Sequence, residues 1–175
     1  MRIDLPFGFI RPWEGKDLPI LLRCLQQERV RKNLRSPTTY SPSRSKKPTH
    51  FAIISQNQTV GGVGFDIDLH HSRAHLGFWI DEQFSGKGIM SATIPALCGC
   101  FQSEHSDLII QSSVYGWNLI SQKLLEKVGF SQVARLPKAI HYSDEVTDLL
   151  IYEWDKLSQS LWIKKNPAAL SGHGI

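Results

Sequence analysis

The densest chemistry in the sequence lies in Ser85-Gly86-Lys87-Gly88-Ile89-Met90-Ser91, directly ahead of a helical pattern. Glycines at the mouth of a helix let the backbone come close to a ligand. The helix's first N–H groups are unpaired and point outward, with the positive end of the dipole behind them. Together they make an anion site suited to a pyrophosphate. Two familiar nucleotide motifs are excluded: GxxxxGK[ST] is absent, and so are the third glycine and the ribose-binding acidic residue of GxGxxG. His75 and His141 are candidates of a second kind, because an imidazole titrating at about pH 6.5 exchanges protons near neutrality. His70, His71 and His75 invite a metal reading. No cysteine or carboxylate completes a set and a hairpin turn explains the cluster, so no metal is expected. Cys24, Cys98 and Cys100 are odd in number and scattered, which reads as reduced thiols in or beside the core.

The elements that must position these groups are legible along the chain. Gly8 to Pro12 reads as a first strand. Asp17 then precedes a helix with Leu18, Leu21, Leu22 and Leu25 on one stripe, Pro19 being tolerated in its first turn. Ser36 to Pro48 is rich in Ser, Thr and Pro and reads as a loop. Phe51–Ile54 and 59–69 are strands around the turn Ser55-Gln56-Asn57-Gln58, and Ala74–Ile80 follows a polar turn at His70–Arg73. These three strands make an antiparallel meander. Met90, Ile94, Leu97 and Phe101 mark the helix after the glycine loop. Pro95 falls inside it, deletes the bond to the Ser91 carbonyl and predicts a kink costing about 3 kcal/mol. The apolar run 108–114 reads as a central strand. Asn118 caps a helix bearing Ile120, Leu124 and Val128, ended by Gly129, and 130–136 and 146–154 are the last strands. The order β-α-β-β-β-α-β-α-β-β is an α/β sheet of mixed direction.

At 175 residues, with 41% hydrophobic and 21% charged residues, the chain fits one globular domain. No apolar run approaches the roughly 20 residues of a membrane span, and the N-terminus lacks the pattern of a signal peptide. A cytoplasmic protein is expected. The net charge of +4 is unevenly placed: Arg29, Arg31, Lys32, Arg35, Arg44, Lys46 and Lys47 stand in a stretch without one acidic residue. A solvated face, a polyanion surface such as RNA and a clamp on a cofactor phosphate all fit that run; no RNA-binding motif accompanies it, so nucleic acid is at most an indirect partner.

Five blocks in order carry a resemblance. They are Ile10-Arg11-Pro12-Trp13, Gly77-Phe78-Trp79-Ile80, Gly86-Lys87-Gly88-Ile89-Met90-Ser91, Asn118-x-x-Ser121 and Val128-Gly129-Phe130. Their residues and spacing resemble the GNAT superfamily of acyl-CoA N-acyltransferases, and most of all the bacterial enzymes that acetylate the N-terminal alanine or serine of ribosomal proteins. The resemblance covers the chain up to about Asp155. It implies a GNAT fold, a mixed and mostly antiparallel sheet of six to seven strands flanked by about four helices, over residues 1–157, with 158–175 as a frayed extension. It implies acetyl-CoA as cofactor and direct attack by a primary amine. A protein N-terminus is the favoured acceptor; a small-molecule amine or antibiotic, or a GNAT domain that binds acyl-CoA without turnover, are the alternatives. A monomer or homodimer is expected.

By the same resemblance Phe78, Trp79 and Ile80 would offer backbone groups to the pantetheine arm, and Ser85, Gly86, Lys87, Gly88, Ile89 and Met90 would wrap the pyrophosphate. Asn118 would reach a pantetheine amide, with Lys87, Lys123 or the basic run near the 3′-phosphate. Ser121 stands where the subgroup places its general acid; its alternative role is a helix-start hydroxyl bonded to backbone. His75 stands where relatives often carry a glutamate base, and His141 is the second candidate base. The chain also departs from the family. Ser85 replaces the glutamine or arginine that opens the loop, Met90 replaces its final glycine or alanine, and Leu125 replaces a tyrosine used elsewhere in the superfamily. The segment before Phe51 is also short for a family that usually packs a further helix over the acceptor site.

Overall fold

The computed structural model describes residues 1–34, 49–154 and Lys164. The expected loop 36–48, the extension from 158 apart from Lys164, and Arg35, Arg44, Lys46 and Lys47 of the basic run lie outside the described residues. The strands are β1 (Ile3–Leu5), β2 (Gly8–Pro12), β3 (His50–Ser55), β4 (Gln58–Asp68), β5 (Arg73–Ile80), β6 (Ile109–Tyr115), β7 (Phe130–Tyr142) and β8 (Glu145–Trp154). The helices are α1 (Leu18–Gln26), α2 (Glu28–Asn33), α3 (Ile89–Glu104) and α4 (Leu119–Lys127). One sheet of eight strands runs β1-β2-β3-β4-β5-β6-β8-β7. Every neighbouring pair is antiparallel except β5–β6.

Local chemistry explains most of these elements. Gln56 and Asn57, at φ +50° and +61°, close the β3–β4 hairpin in the type I′ geometry that matches strand twist. The buried Asp17 carboxylate accepts from Arg11 (2.7 and 3.0 Å), from Thr59 Oγ1 and from the Glu14 N–H, so it joins the start of α1 to β2 and β4. Asp81, fully buried, accepts from Arg23, Gln27 and the Gln83 N–H, which ties α1 to the end of β5. Burial opposes the charge at both positions, yet these donors hold each carboxyl below its usual range.

Most of the core lies around α3 and the strands, with Ile10, Phe51, Val63, Phe65, Leu76, Ile94, Leu97 and Tyr152 almost wholly buried. A second cluster of Leu21, Cys24, Val30 and Trp79 sits beneath α1 and α2, with Trp13 against it. Trp79 and Trp13 stack with centroids 6.0 Å apart. Gly62 makes room for them: a Cβ there would stand 2.6 Å from the Trp79 ring nitrogen. All three cysteines are buried and free, as the scattered spacing predicts.

Three expectations change. The sheet has eight strands rather than six or seven, because Ile3–Leu5 pairs with β2 ahead of Pro6. The α1 stripe is rotated: Leu21 and Cys24 are buried while Leu18 and Leu22 are 53% and 55% exposed. β7 continues past Pro137 to Tyr142 by shifting register between Leu136 and Ile140, with Lys138 at φ +52°; an edge strand tolerates a proline because one side of its ladder is open. The expected helix after the glycine loop is present as α3, which contains Pro95 and runs to Glu104. No helix among the described residues is long and apolar enough to cross a membrane.

Candidate active site

The parallel pair β5–β6 is short. Arg73, Ala74 and His75 pair with Ile109, Ile110 and Gln111, and there the ladder stops. Beyond it β5 stays paired with β4 as far as Ile80, and β6 stays paired with β8 as far as Tyr115. Two side-chain bonds mark the parting. Ser112 Oγ donates to the Leu76 carbonyl at 3.0 Å, and His75 Nε2 lies 3.0 Å from Ser113 Oγ. A cleft of about 390 Å³ opens from this throat. Its walls include β5 from His75 to Ile80, the glycine loop, β6 from Ser112 to Tyr115, the start of α4, and Arg29 and Asn33 of α2.

Ladder parity tells which main-chain groups face the cleft. The Asp81 N–H bonds the Val60 carbonyl, so Trp79, two residues earlier, also turns its N–H and C=O toward β4. Phe78 and Ile80 turn theirs the other way, to the side where β6 has departed. Trp79 therefore contributes its place in the wall rather than a free backbone edge. The Leu76 carbonyl, of the same parity as Phe78, is already held by Ser112.

At one mouth, Gly86 and Gly88 have φ of +76° and +78°, and a Cβ on either would meet nothing within 4 Å. The left-handed backbone, not crowding, calls for glycine here. Gly88 caps α3, whose first internal bond is Ala92 N–H to Gly88 O. The N–H groups of Ile89, Met90 and Ser91 consequently have no partner within the helix. Ser85 Oγ accepts from Arg29 Nη2 at 2.8 Å. Lys87 is exposed, outside the cleft lining, with its Nζ 4.9 Å from the Phe84 ring centroid.

Across the cleft, Asn118 Oδ1 accepts the Ser121 N–H at 3.2 Å and caps α4. Its Nδ2 has no hydrogen-bond partner among the described residues, so capping leaves a donor for a ligand. The Ser121 hydroxyl lines the cleft and likewise has no partner among the described residues; the backbone-bonded alternative is not observed. Lys123 and Lys127 extend the same wall.

His75 shares a sheet face with Ser113 and Tyr115. Asp66, His75, Gln111 and Glu153 occupy consecutive register positions across β4, β5, β6 and β8, and Gln111 Nε2 donates to Glu153 at 3.0 Å. A polar row bearing two carboxylates therefore crosses the sheet at the throat. Just past the end of β6, Trp117 meets Tyr115 and Tyr142 edge to face, its Nε1 donates to Asn33, and Lys32 Nζ lies 4.5 Å from its ring centroid while pairing with Glu145 at 2.6 Å. Lys32 and Asn33 thus pin α2 over this end. His141 is exposed on β7 and does not line the cleft. His70 and His71 sit in the β4–β5 turn, where both N–H groups donate to Asp68.

The candidate set is thereby divided. His75, Phe78, Trp79, Ile80, Ser85, Gly86, Gly88, Ile89, Met90, Asn118 and Ser121 meet around one cleft; Lys87 and His141 stand outside it. Sequence reasoning missed Ser113 and the individual position of Arg29, which the basic run had indicated only as a group.

Comparisons with known proteins agree with this architecture. The sequence model described as "Acetyltransferase (GNAT) domain" matches residues 9–131. No curated protein matches the sequence. Among solved structures, a RimL ribosomal L7/L12 alpha-N-protein acetyltransferase in complex with coenzyme A is similar at TM-score 0.71 and 18% identity, covering 87% of this chain and 97% of that one. An acetyl transferase from Salmonella typhimurium that modifies the N-terminal serine of ribosomal protein L7/L12 is similar at TM-score 0.68 and 19% identity, covering 83% and 92%. A GNAT-family acetyltransferase from Bacillus anthracis is similar at TM-score 0.70 and 18% identity, covering 87% and 97%. At such identities the likeness is one of fold.

Proposed function

The chain belongs to the GNAT acetyltransferase family, and from that premise we propose that it is an N-acetyltransferase using acetyl-CoA, with a protein N-terminal amine as its acceptor. The observation that carries the reading is the parting of β5 from β6 at His75, which leaves the Phe78 and Ile80 backbone open toward a cleft with glycines at one mouth. The residues present fit the cofactor. Phe78 and Ile80 would take its amide arm as an added strand takes its neighbour. The Asn118 amide would donate to a carbonyl of that arm. The N–H groups from Gly86 to Ser91 would hold the pyrophosphate, and Lys123 and Lys127 lie on the wall that a further phosphate would meet. Bound there, acetyl-CoA supplies an acetyl group already activated as a thioester.

The protein's own part is to orient the two partners and move two protons. An ammonium is not a nucleophile, so its proton must leave. His75 takes it, and Ser113 Oγ serves either state of the ring: it donates to a neutral Nε2 and accepts from a protonated one. Asp66 and Glu153 in the polar row favour approach of a cation. Ser121 holds its hydroxyl proton for the departing sulfur. An N-terminal amine as acceptor is supported by the ribosomal-protein acetyltransferases among the similar structures. The test is incubation with isotopically labelled acetyl-CoA, in separate arms holding peptides with free N-termini and a panel of small amines, read by mass spectrometry. Label on peptide α-amines is expected. Label on the small amines alone would overturn the acceptor, and thiol release in no arm would overturn the enzyme.

A further inference from the structure

We propose that Arg29 is a phosphate ligand of the acyl-CoA, reaching the glycine loop from α2 in place of the long polar side chain that Ser85 does not supply. The inference rests on the cofactor reading above. Arg11, Arg23 and Arg135 each face a carboxylate, on Asp17, Asp81 and Asp148. Arg29 is half-buried, yet its guanidinium has no carboxylate partner among the described residues; its one side-chain bond runs from Nη2 to Ser85 Oγ at 2.8 Å. Arg31 and Arg73, which also have no carboxylate partner among the described residues, are exposed to solvent, where water satisfies them. A partly desolvated guanidinium whose partner is a neutral hydroxyl, beside a loop bent open at Gly86 and Gly88, retains most of its donors for an anion. Its planar fork suits two phosphate oxygens at once.

The placement does not depend on the guanidinium itself. Val30 is buried beneath α2, Asn33 Nδ2 donates to the Arg29 carbonyl at 2.7 Å, and Trp117 donates to Asn33 Oδ1. Lys32 adds its pair with Glu145. Truncating Arg29 therefore leaves three contacts between α2 and the rest of the fold, through Val30, Asn33 and Lys32, and the loss should be confined to what the guanidinium touches. Lys123 and Lys127 line the same cleft as Arg29, so the cleft carries three cations.

Calorimetric titration with coenzyme A tests this in wild type, Arg29→Ala, Arg29→Lys and the double variant Arg29→Ala/Ser85→Arg. Affinity should fall at least tenfold in Arg29→Ala, fall less in Arg29→Lys, and return in part when the guanidinium is moved onto position 85. In parallel, the ratio of kcat/KM for acetyl-CoA to that for S-acetyl-pantetheine, which has no phosphate, should fall at least tenfold in Arg29→Ala. Coenzyme A affinity within twofold of wild type would overturn the proposal. So would an equal loss with both donors, which would make Arg29 a prop for α2. A wild-type protein that binds no coenzyme A would overturn the cofactor reading itself.

Discussion

Gly88→Glu separates a backbone requirement from an electrostatic one. Gly88 sits at φ +78° with open space where a Cβ would stand, so no clash accompanies substitution. The left-handed conformation costs a non-glycine residue about 1–2 kcal/mol, and Gly88→Gln should lose about that much stability. Gly88→Glu should lose the same, since the two side chains have nearly one shape. Coenzyme A affinity should divide them. A carboxylate about 4 Å from one phosphate charge is repelled by about 1 kcal/mol in water and about 4 kcal/mol at the effective dielectric of a protein surface. A tenfold loss corresponds to about 1.4 kcal/mol, so Gly88→Glu should bind at least tenfold more weakly than Gly88→Gln. Thermal melts give the stability term and calorimetry the binding term. Equal affinity in the two folded variants would remove the pyrophosphate from this loop.

Ser121→Ala should lower kcat while leaving coenzyme A affinity nearly unchanged, because the hydroxyl matters as the sulfur gains charge; a fall of less than about threefold, against the usual range for proton transfer, would reduce Ser121 to part of the helix start. His75→Ala should lower kcat/KM by about 10²–10⁴-fold at neutral pH and by less at alkaline pH, where more of the amine is already neutral; a pH-independent loss would count against His75 as the base. Asp17→Ala should destabilise the fold by about 3–5 kcal/mol, leaving Arg11 without its buried partner. The Asp17 carboxyl lies below its usual value in the folded protein, so its contribution is present above the unfolded value of about pH 4 and is lost as pH falls through the folded one. Asp17→Asn, which lacks that charge, should therefore be less stable than wild type at neutral pH, and the difference should shrink as pH falls through the folded value; denaturant melts followed by circular dichroism across that range check it, and a difference that stays the same at every pH would deny it.

The sequence was most legible where a residue's requirement is local. Gly86 and Gly88 announce a left-handed backbone before a helix, Asn118 announces a cap, and Gln56-Asn57 a turn, because each answers to its own φ or to a donor three residues away. The order of the five blocks made the fold legible as well. What stayed hidden depends on packing or on distant pairing. His75 meets Ser113 across 38 positions and Arg29 meets Ser85 across 56, and no local pattern couples such residues. The α1 stripe was misread because a helix of nine residues offers two overlapping apolar faces, and the face that wins is the one Trp79 and Val30 can cover. The long β7 was hidden by Pro137, whose cost depends on whether the strand lies at an edge.

The cleft owes its existence to the neighbours of the strands that line it. β5 is held along its other edge by β4 to Ile80, and β6 by β8 to Tyr115. Neither strand needs the other to keep its extended form, so the shared ladder ends after three residues. The parting leaves Phe78 and Ile80 with main-chain groups that no strand satisfies. Unpaired backbone groups are costly where water is excluded and tolerable where a ligand or solvent reaches them. The structure keeps them reachable: the starts of α3 and α4 line the cleft, and α2 is pinned beside it by Lys32 and Asn33. Asp17 and Asp81, both outside the chemistry, fasten α1 to the sheet at β2, β4 and the end of β5 through Arg11, Thr59 and Arg23. An open strand edge built at this cost of pairing, and aligned with the loop that favours anions, is what a ligand with an amide arm and a phosphate end would complete.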